Sequence, residues 1–246
     1  MKFELKSSVV TLFVLLAALL AGPKPAGAQT NGLRVLFLGD RAGHKPAERF
    51  AILQPVFAKK NIEVTYTESM QDINPTNLAK FDCLMIYANT TRITPEQETA
   101  MLDFVAAGGG FVPIHCASYC FLNSPKYIEL VGGQFKSHET GVFKETIIKS
   151  DHPIMKGLSP IESWDETYVH TKHNTNRVVL AERRDDSGAE PYTWVRDHGK
   201  GRVFYTAWGH DQRTWNNADF QALLENGTRW ASENSPSLTQ RRAATK

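Results

Sequence analysis

The sequence predicts an α/β fold: a mostly parallel central sheet with its faces covered by helices. Three observations carry that expectation. Short apolar runs of strand length alternate with helical patterns in the order β-α-β-(short helix)-β-α-β, which implies right-handed crossovers. A helical pattern ends at Gly108-Gly109-Gly110 and gives way to the apolar run Phe111 to Ile114. Directly after that run the chain turns polar, with His115, Cys116 and Ser118 in four positions, where open α/β sheets place their ligand sites.

The elements follow in order. Leu33 to Leu38 reads as the first buried strand, with a loop from Gly39 to His44 and a helix from about Pro46 to Lys60. Ile62 to Thr67 is the second strand, and Phe81 to Tyr87 the third. Thr94-Pro95-Glu96-Gln97 is a helix start, with a capping Thr, Pro in the first turn and Gln at the capping-box position. Past His115, Ser124 to Val131 is a short helix, and Gly132 to His138 a Gly-rich loop. Phe143 to Lys149, Arg177 to Ala181, Tyr192 to Arg196 and Arg202 to Ala207 are strands; a final helix spans about Asp219 to Trp230. After Ala231 the chain is polar and aperiodic, and residues 233–246 are expected to be a disordered tail.

Residues 1–28 are expected to be a secretory signal peptide. Lys2 and Lys6 precede the apolar run Val9 to Ala21, and Ala26-Gly27-Ala28 fits a cleavage pattern before Gln29. The run is too short to span a bilayer. Residues 29–232 are then one domain, secreted or periplasmic. Without the leader the chain has 25 basic and 25 acidic residues, so neither nucleic acid nor a membrane surface is an expected partner. Cys83, Cys116 and Cys120 are too few for a disulfide framework, and Cys116 and Cys120 meet only if the turn between them is tight.

Three strands end in a loop holding a His: His44 after the first, His115 after the fourth, His210 after the last. In a parallel sheet these loops share one rim, where imidazoles ligate metal or move protons. His138 and the pair Asp165-Glu166, with Tyr168, lie in the segment that folds back over that rim. The candidate catalytic groups are His115, His210, Glu166 and Tyr168; candidate metal ligands are His44, His115, His138 and His210. A metal held by imidazole and carboxylate is Zn²⁺ or another first-row ion. Trp208, Asp165 and Asn89 are candidate substrate-binding residues, although the tryptophans fit a core role equally well. His152 suits a turn cap; His170, His173 and His198 lie in polar segments and read as solvated surface. Phosphate-cradling, dinucleotide, His-Glu-x-x-His, Cys-x-x-Cys and Gly-x-Ser-x-Gly patterns are all missing.

The ordered set Gly43-His44, Gly108-Gly109-Gly110 with Ile114-His115, Gly132-Gly133-x-Phe135 with His138, His152-Pro153-Ile154, Asp165-Glu166-x-Tyr168, and Gly199 to Tyr205 with Gly209-His210 resembles the trehalose-utilisation (ThuA-like) family over about Leu33 to Ala231. The resemblance implies a flavodoxin-like, class I glutamine amidotransferase-like three-layer sandwich. It places His115 where a glutaminase has its nucleophilic Cys, which speaks against amidotransferase activity because a His there forms no thioester. It also implies a small-molecule carbohydrate partner, a disaccharide or a 3-keto sugar, cleaved as a hydrolase or lyase by acid–base or metal-assisted chemistry. A non-catalytic sugar-binding module on the same scaffold, and an amidase using Cys116, are the other readings.

Overall fold

The computed structural model describes residues 32–186 and 188–244; the expected signal peptide lies outside these residues. The strands are β1 (Leu33–Leu38), β2 (Ile62–Thr67), β3 (Cys83–Ile86), β4 (Gly110–Pro113), β5 (Gln134–Ser137), β6 (Thr140–Ile147), β7 (Glu162–Glu166), β8 (Val169–Thr171), β9 (Val178–Asp185), β10 (Gly188–His198) and β11 (Gly201–Thr206). The helices are α1 (Pro46–Ala58), α2 (Pro75–Leu78), α3 (Pro95–Ala106), α4 (Pro125–Val131), α5 (Gln212–Trp215), α6 (Ala218–Ser232) and α7 (Pro236–Ala243). Nine strands form one sheet in the order β2-β1-β3-β4-β11-β10-β9-β6-β7, and β5 pairs with β8 separately.

The first five strands of that sheet are parallel, as the alternating pattern predicts. β3 and β4 are apolar throughout because both faces are covered. The α3 cap forms as its sequence dictates: Thr94 accepts from the Gln97 backbone, and Gln97 accepts from the Thr94 backbone. Two glycines set the layers. A Cβ on Gly201 would lie 2.0 Å from the carbonyl of Val105 in α3, and one on Gly110 would lie 2.9 Å from the Ala231 backbone of α6. Gly110 is in register with Arg202, so Gly110 and Gly201 face opposite sides and the two helices cover opposite faces.

The remaining four strands are antiparallel. Four antiparallel steps from β11 bring β7 back to the direction of β11, so Glu166 ends on the same rim as His210. Phe143 of β6 stacks on Trp208, just past β11, with ring centroids 4.3 Å apart, which ties this wing to the parallel half.

Two expectations are corrected here. The segment Gly132 to His138 is not merely a loop, because Gln134–Ser137 pairs with β8. The polar tail is also not disordered through its described residues. Ser235 caps α7, Leu238 is buried, and Arg241 pairs with the fully buried Asp82, which also accepts from Ser235 Oγ at 2.9 Å and Arg34 N at 2.8 Å. A charge that finds a buried partner orders a segment whose composition reads as solvated.

Candidate metal centre and active site

His44, His115 and His210 each stand on or beside a residue with positive φ. Lys45 follows His44 with φ 55°, His115 itself has φ 48°, and Gly209 precedes His210 with φ 133°. A non-Gly residue in that region costs of order 1–3 kcal/mol and persists only where its surroundings hold it. At His115 the holding groups are visible. Its carbonyl oxygen lies 3.0 Å from Ser118 Oγ, which donates to it, and 3.1 Å from Tyr205 Oη. Its Nδ1 faces the carbonyl of Ala207 at 2.6 Å. Since a carbonyl only accepts, Nδ1 carries the proton, and Nε2 is the nitrogen turned toward the site.

The Gly209-His210 peptide is held from all sides. Asp165 accepts from Gly209 N at 3.2 Å and His210 N at 3.0 Å, and also from Thr214. Tyr87 Oη and Trp215 Nε1 donate to the Gly209 carbonyl, each at 2.6 Å, and Arg49 donates to the His210 carbonyl. Asp165 is fully buried in this role, so it positions the His210 loop and does not meet substrate as expected.

Glu166 lies between the imidazoles. Its Oε2 is 3.2 Å from His115 Nε2; its Oε1 is 3.0 Å from His210 Nδ1 and 3.5 Å from His138 Nε2. His44 packs at 5.1 Å from the His115 ring and 5.2 Å from that of His210. One donor atom from each of His44, His115, Glu166 and His210 lies within 4.8 Å of the others. Although close to Oε1, His210 Nδ1 is not aligned for a hydrogen bond. It and His44 Nε2 are buried nitrogens without a hydrogen-bond partner.

The electrostatics follow from this crowding. Burial, then the charges His115 and His210 carry when protonated, pushes His44 down to about 3, leaving its ring neutral. The neighbouring Glu166 carboxylate raises His210. Burial alone would raise Glu166, but His115 and His210 outweigh it and hold the carboxyl well below its ordinary range. Two buried nitrogens that make no hydrogen bond, a nitrogen turned onto a carboxylate oxygen, and a carboxylate kept ionised are a donor set that fits a first-row divalent cation.

The other expected residues are distributed less simply. His138 stands outside the four-donor group, on its exposed side. Tyr168 lies behind the site, stacked on His115 at 4.1 Å and 26°, and burial keeps its hydroxyl protonated. Asn89 stands beside His44 with a buried, unsatisfied Oδ1. Trp208 is corrected: it is 0% exposed, and its Nε1 donates to Glu145, so it offers no face to a sugar. Cys116 is buried and its thiol pushed far up by burial, which removes the amidase reading's nucleophile. Cys120 donates to the Ala88 carbonyl, and all three cysteines are free thiols.

One group escaped the sequence. His170 reads as surface but is buried, with Nδ1 2.9 Å from Glu190 and Nε2 3.0 Å from Tyr205 Oη. Two cavities of about 550 and 400 Å³ share no residue with the donor set. The first takes in Leu33 and Arg202, at the starts of their strands.

Fold and site together define a flavodoxin-like α/β protein with a His/Glu donor cluster on one rim of its central sheet. A family model described as trehalose utilisation (ThuA) matches residues 34–231, and the chain belongs to that family. A ThuA-like protein from Parabacteroides merdae is similar at TM-score 0.73 and 19% identity, covering 83% of this chain and 91% of that one. A ThuA-like protein from Bacteroides uniformis gives TM-score 0.73 and 18% identity over 87% and 97%. The β-galactosidase of Bacillus circulans sp. alkalophilus gives TM-score 0.57 and 15% identity over 84% of this chain and 32% of that enzyme. These identities show the fold alone. No curated protein matches the chain.

Proposed function

We propose that this protein is an exported carbohydrate-active enzyme that binds a divalent first-row metal through His44, His115, His210 and Glu166, and acts on a disaccharide or its 3-keto derivative. The observation that carries the reading is that one donor atom from each of the four residues lies within 4.8 Å of the others, and that His44 and His210 each carry a buried nitrogen without a hydrogen bond. The family's trehalose-utilisation description supports the substrate class.

When bound, such an ion acts as a Lewis acid toward a sugar oxygen. The chain's own residues do the rest. Asp165 and Arg49 fix the His210 loop, and Tyr168 backs the His115 ring. His138, beside Glu166 on the exposed side, is placed to hydrogen-bond an arriving sugar. In a 3-keto glycoside the carbonyl acidifies the adjacent C–H. A base takes that proton, the electron pair forms a C=C bond, the glycosidic C–O bond breaks, and the leaving oxygen takes up a proton.

The test is metal analysis of purified protein, followed by assay on native and 3-keto disaccharides with and without added Zn²⁺ or Mn²⁺. One bound ion per chain and metal-dependent cleavage are expected. A protein that binds neither ion overturns the metal centre, and sugar binding without turnover overturns the enzyme in favour of a binding module. Export is tested by the N-terminus of protein recovered outside the cytoplasm, which should lie at or near Gln29; an intact Met1 overturns it.

A further inference from the structure

We infer that the aromatic strip formed by Tyr119, Phe135 and His138 is a subsite for a second pyranose ring, flanking the metal centre. This rests on the carbohydrate reading above and adds where the other sugar unit of a disaccharide sits.

The strip is continuous with the centre. The His115 ring stacks on Tyr168 at 4.1 Å, Tyr168 meets Phe135 at 4.5 Å, and Phe135 meets Tyr119 at 5.5 Å and His138 at 5.8 Å. His138 in turn faces Glu166. The buried Tyr168 thus underlies the strip, and Phe135 lies at its middle. Tyr119 ends the 3-10 turn His115–Tyr119, so the residue that supplies a donor and the residue that supplies the outer wall are fixed by one turn.

Among the described residues Tyr119 is the sole aromatic in the set of exposed large hydrophobic side chains, at 38%. An aromatic ring left partly in solvent beside a polar cluster can pack the apolar face of a ligand whose polar edge meets that cluster. The Tyr119 and Phe135 rings stand at 87° and form a corner. A pyranose is amphipathic, with an apolar C–H face and a rim of hydroxyls, so one face packs on an aromatic ring while the rim meets polar groups. Exposed Lys136 and Ser137 follow Phe135 on β5. The tryptophans do not compete for this role. Trp194, Trp208 and Trp215 are fully buried, and Trp164 and Trp230 carry the guanidinium groups of Arg213 and Arg202 over their rings.

The test is calorimetric titration of the metal-loaded full-length mature protein with trehalose and, separately, with glucose. Tyr119→Ala should weaken trehalose binding about threefold to tenfold, leave glucose binding and metal content as in the wild type, and be rescued by Tyr119→Phe. Phe135→Leu should weaken trehalose binding in the same direction. Trehalose binding unchanged in both Tyr119→Ala and Phe135→Leu overturns the subsite while the carbohydrate reading stands. Wild-type protein that carries its metal and binds neither these sugars nor 3-keto-trehalose overturns both.

Discussion

At the scale of single residues, the site depends on how tightly His115 is held in a backbone conformation it does not favour. His115 occupies the left-handed region, and its carbonyl meets the hydroxyls of Ser118 and Tyr205. Tyr205 Oη also meets His170, whose other nitrogen faces Glu190. Tyr205→Phe should therefore cost about 1 kcal/mol of stability and weaken Zn²⁺ binding about tenfold, measured by denaturant unfolding and competition with a chromophoric chelator. His115→Ala and His210→Ala, which remove donors outright, should weaken Zn²⁺ binding beyond the roughly 10–100-fold that loss of an outer partner costs. His198→Ala, in the β10–β11 turn, should leave it unchanged. A separate residue sets a pH dependence. Glu145 is pushed up to about 7 by burial, against hydrogen bonds from Trp208 and Ile161. Its folded pKa exceeds its ordinary 4.5, so the folded state holds the extra proton between the two values. Stability is then greatest below the lower value and falls as pH rises through the upper one. Glu145→Gln should flatten that fall, read as the difference in unfolding free energy between about pH 5 and about pH 8. The sequence made the site's His set legible because each followed a strand-length apolar run. It could not show His170 or Glu145, because their segments look polar and only the pairing of distant strands buries them.

At the scale of elements, the parallel half was readable and the antiparallel wing much less so. β1, β3 and β4 are apolar runs bounded by turn residues, and α3 has its cap written in Thr94 to Gln97. β7 runs Glu-Ser-Trp-Asp-Glu and buries Ser163, Asp165 and Glu166, so it carries no apolar alternation to detect. Its strand character comes from pairing with β6, while Asp165 finds backbone donors waiting in the His210 loop. The last helix, α7, was hidden in the same way. Its anchor is the Arg241–Asp82 pair, reaching from the chain's end to the start of β3. Arg241→Ala should destabilise the protein by about 3–5 kcal/mol, because it strips a partner from a buried carboxylate. Denaturant unfolding checks this, and removal of residues 234–246 should cost at least as much.

At the scale of the whole molecule, the donor set draws on widely separated parts of the chain. His44 follows the first strand, His115 the fourth, Glu166 closes β7, and His210 follows β11. Refolding in the presence of Zn²⁺ should accordingly show metal uptake only with the final rise of tryptophan burial, since Trp194, Trp208 and Trp215 all sit in the late half and are fully buried. Uptake in an earlier phase would contradict this order. The place of β11 has a further consequence for the chain as it is made. β4 gains one neighbour, β3, at once, but its other side waits while six more strands are synthesised before β11 arrives between β4 and β10. Until then the nascent protein carries an apolar strand with one row of backbone groups unmatched, the kind of edge that joins neighbouring chains. Premature termination before residue 201 should therefore yield clumped, chaperone-dependent material, with no fragment recovered as soluble, folded protein.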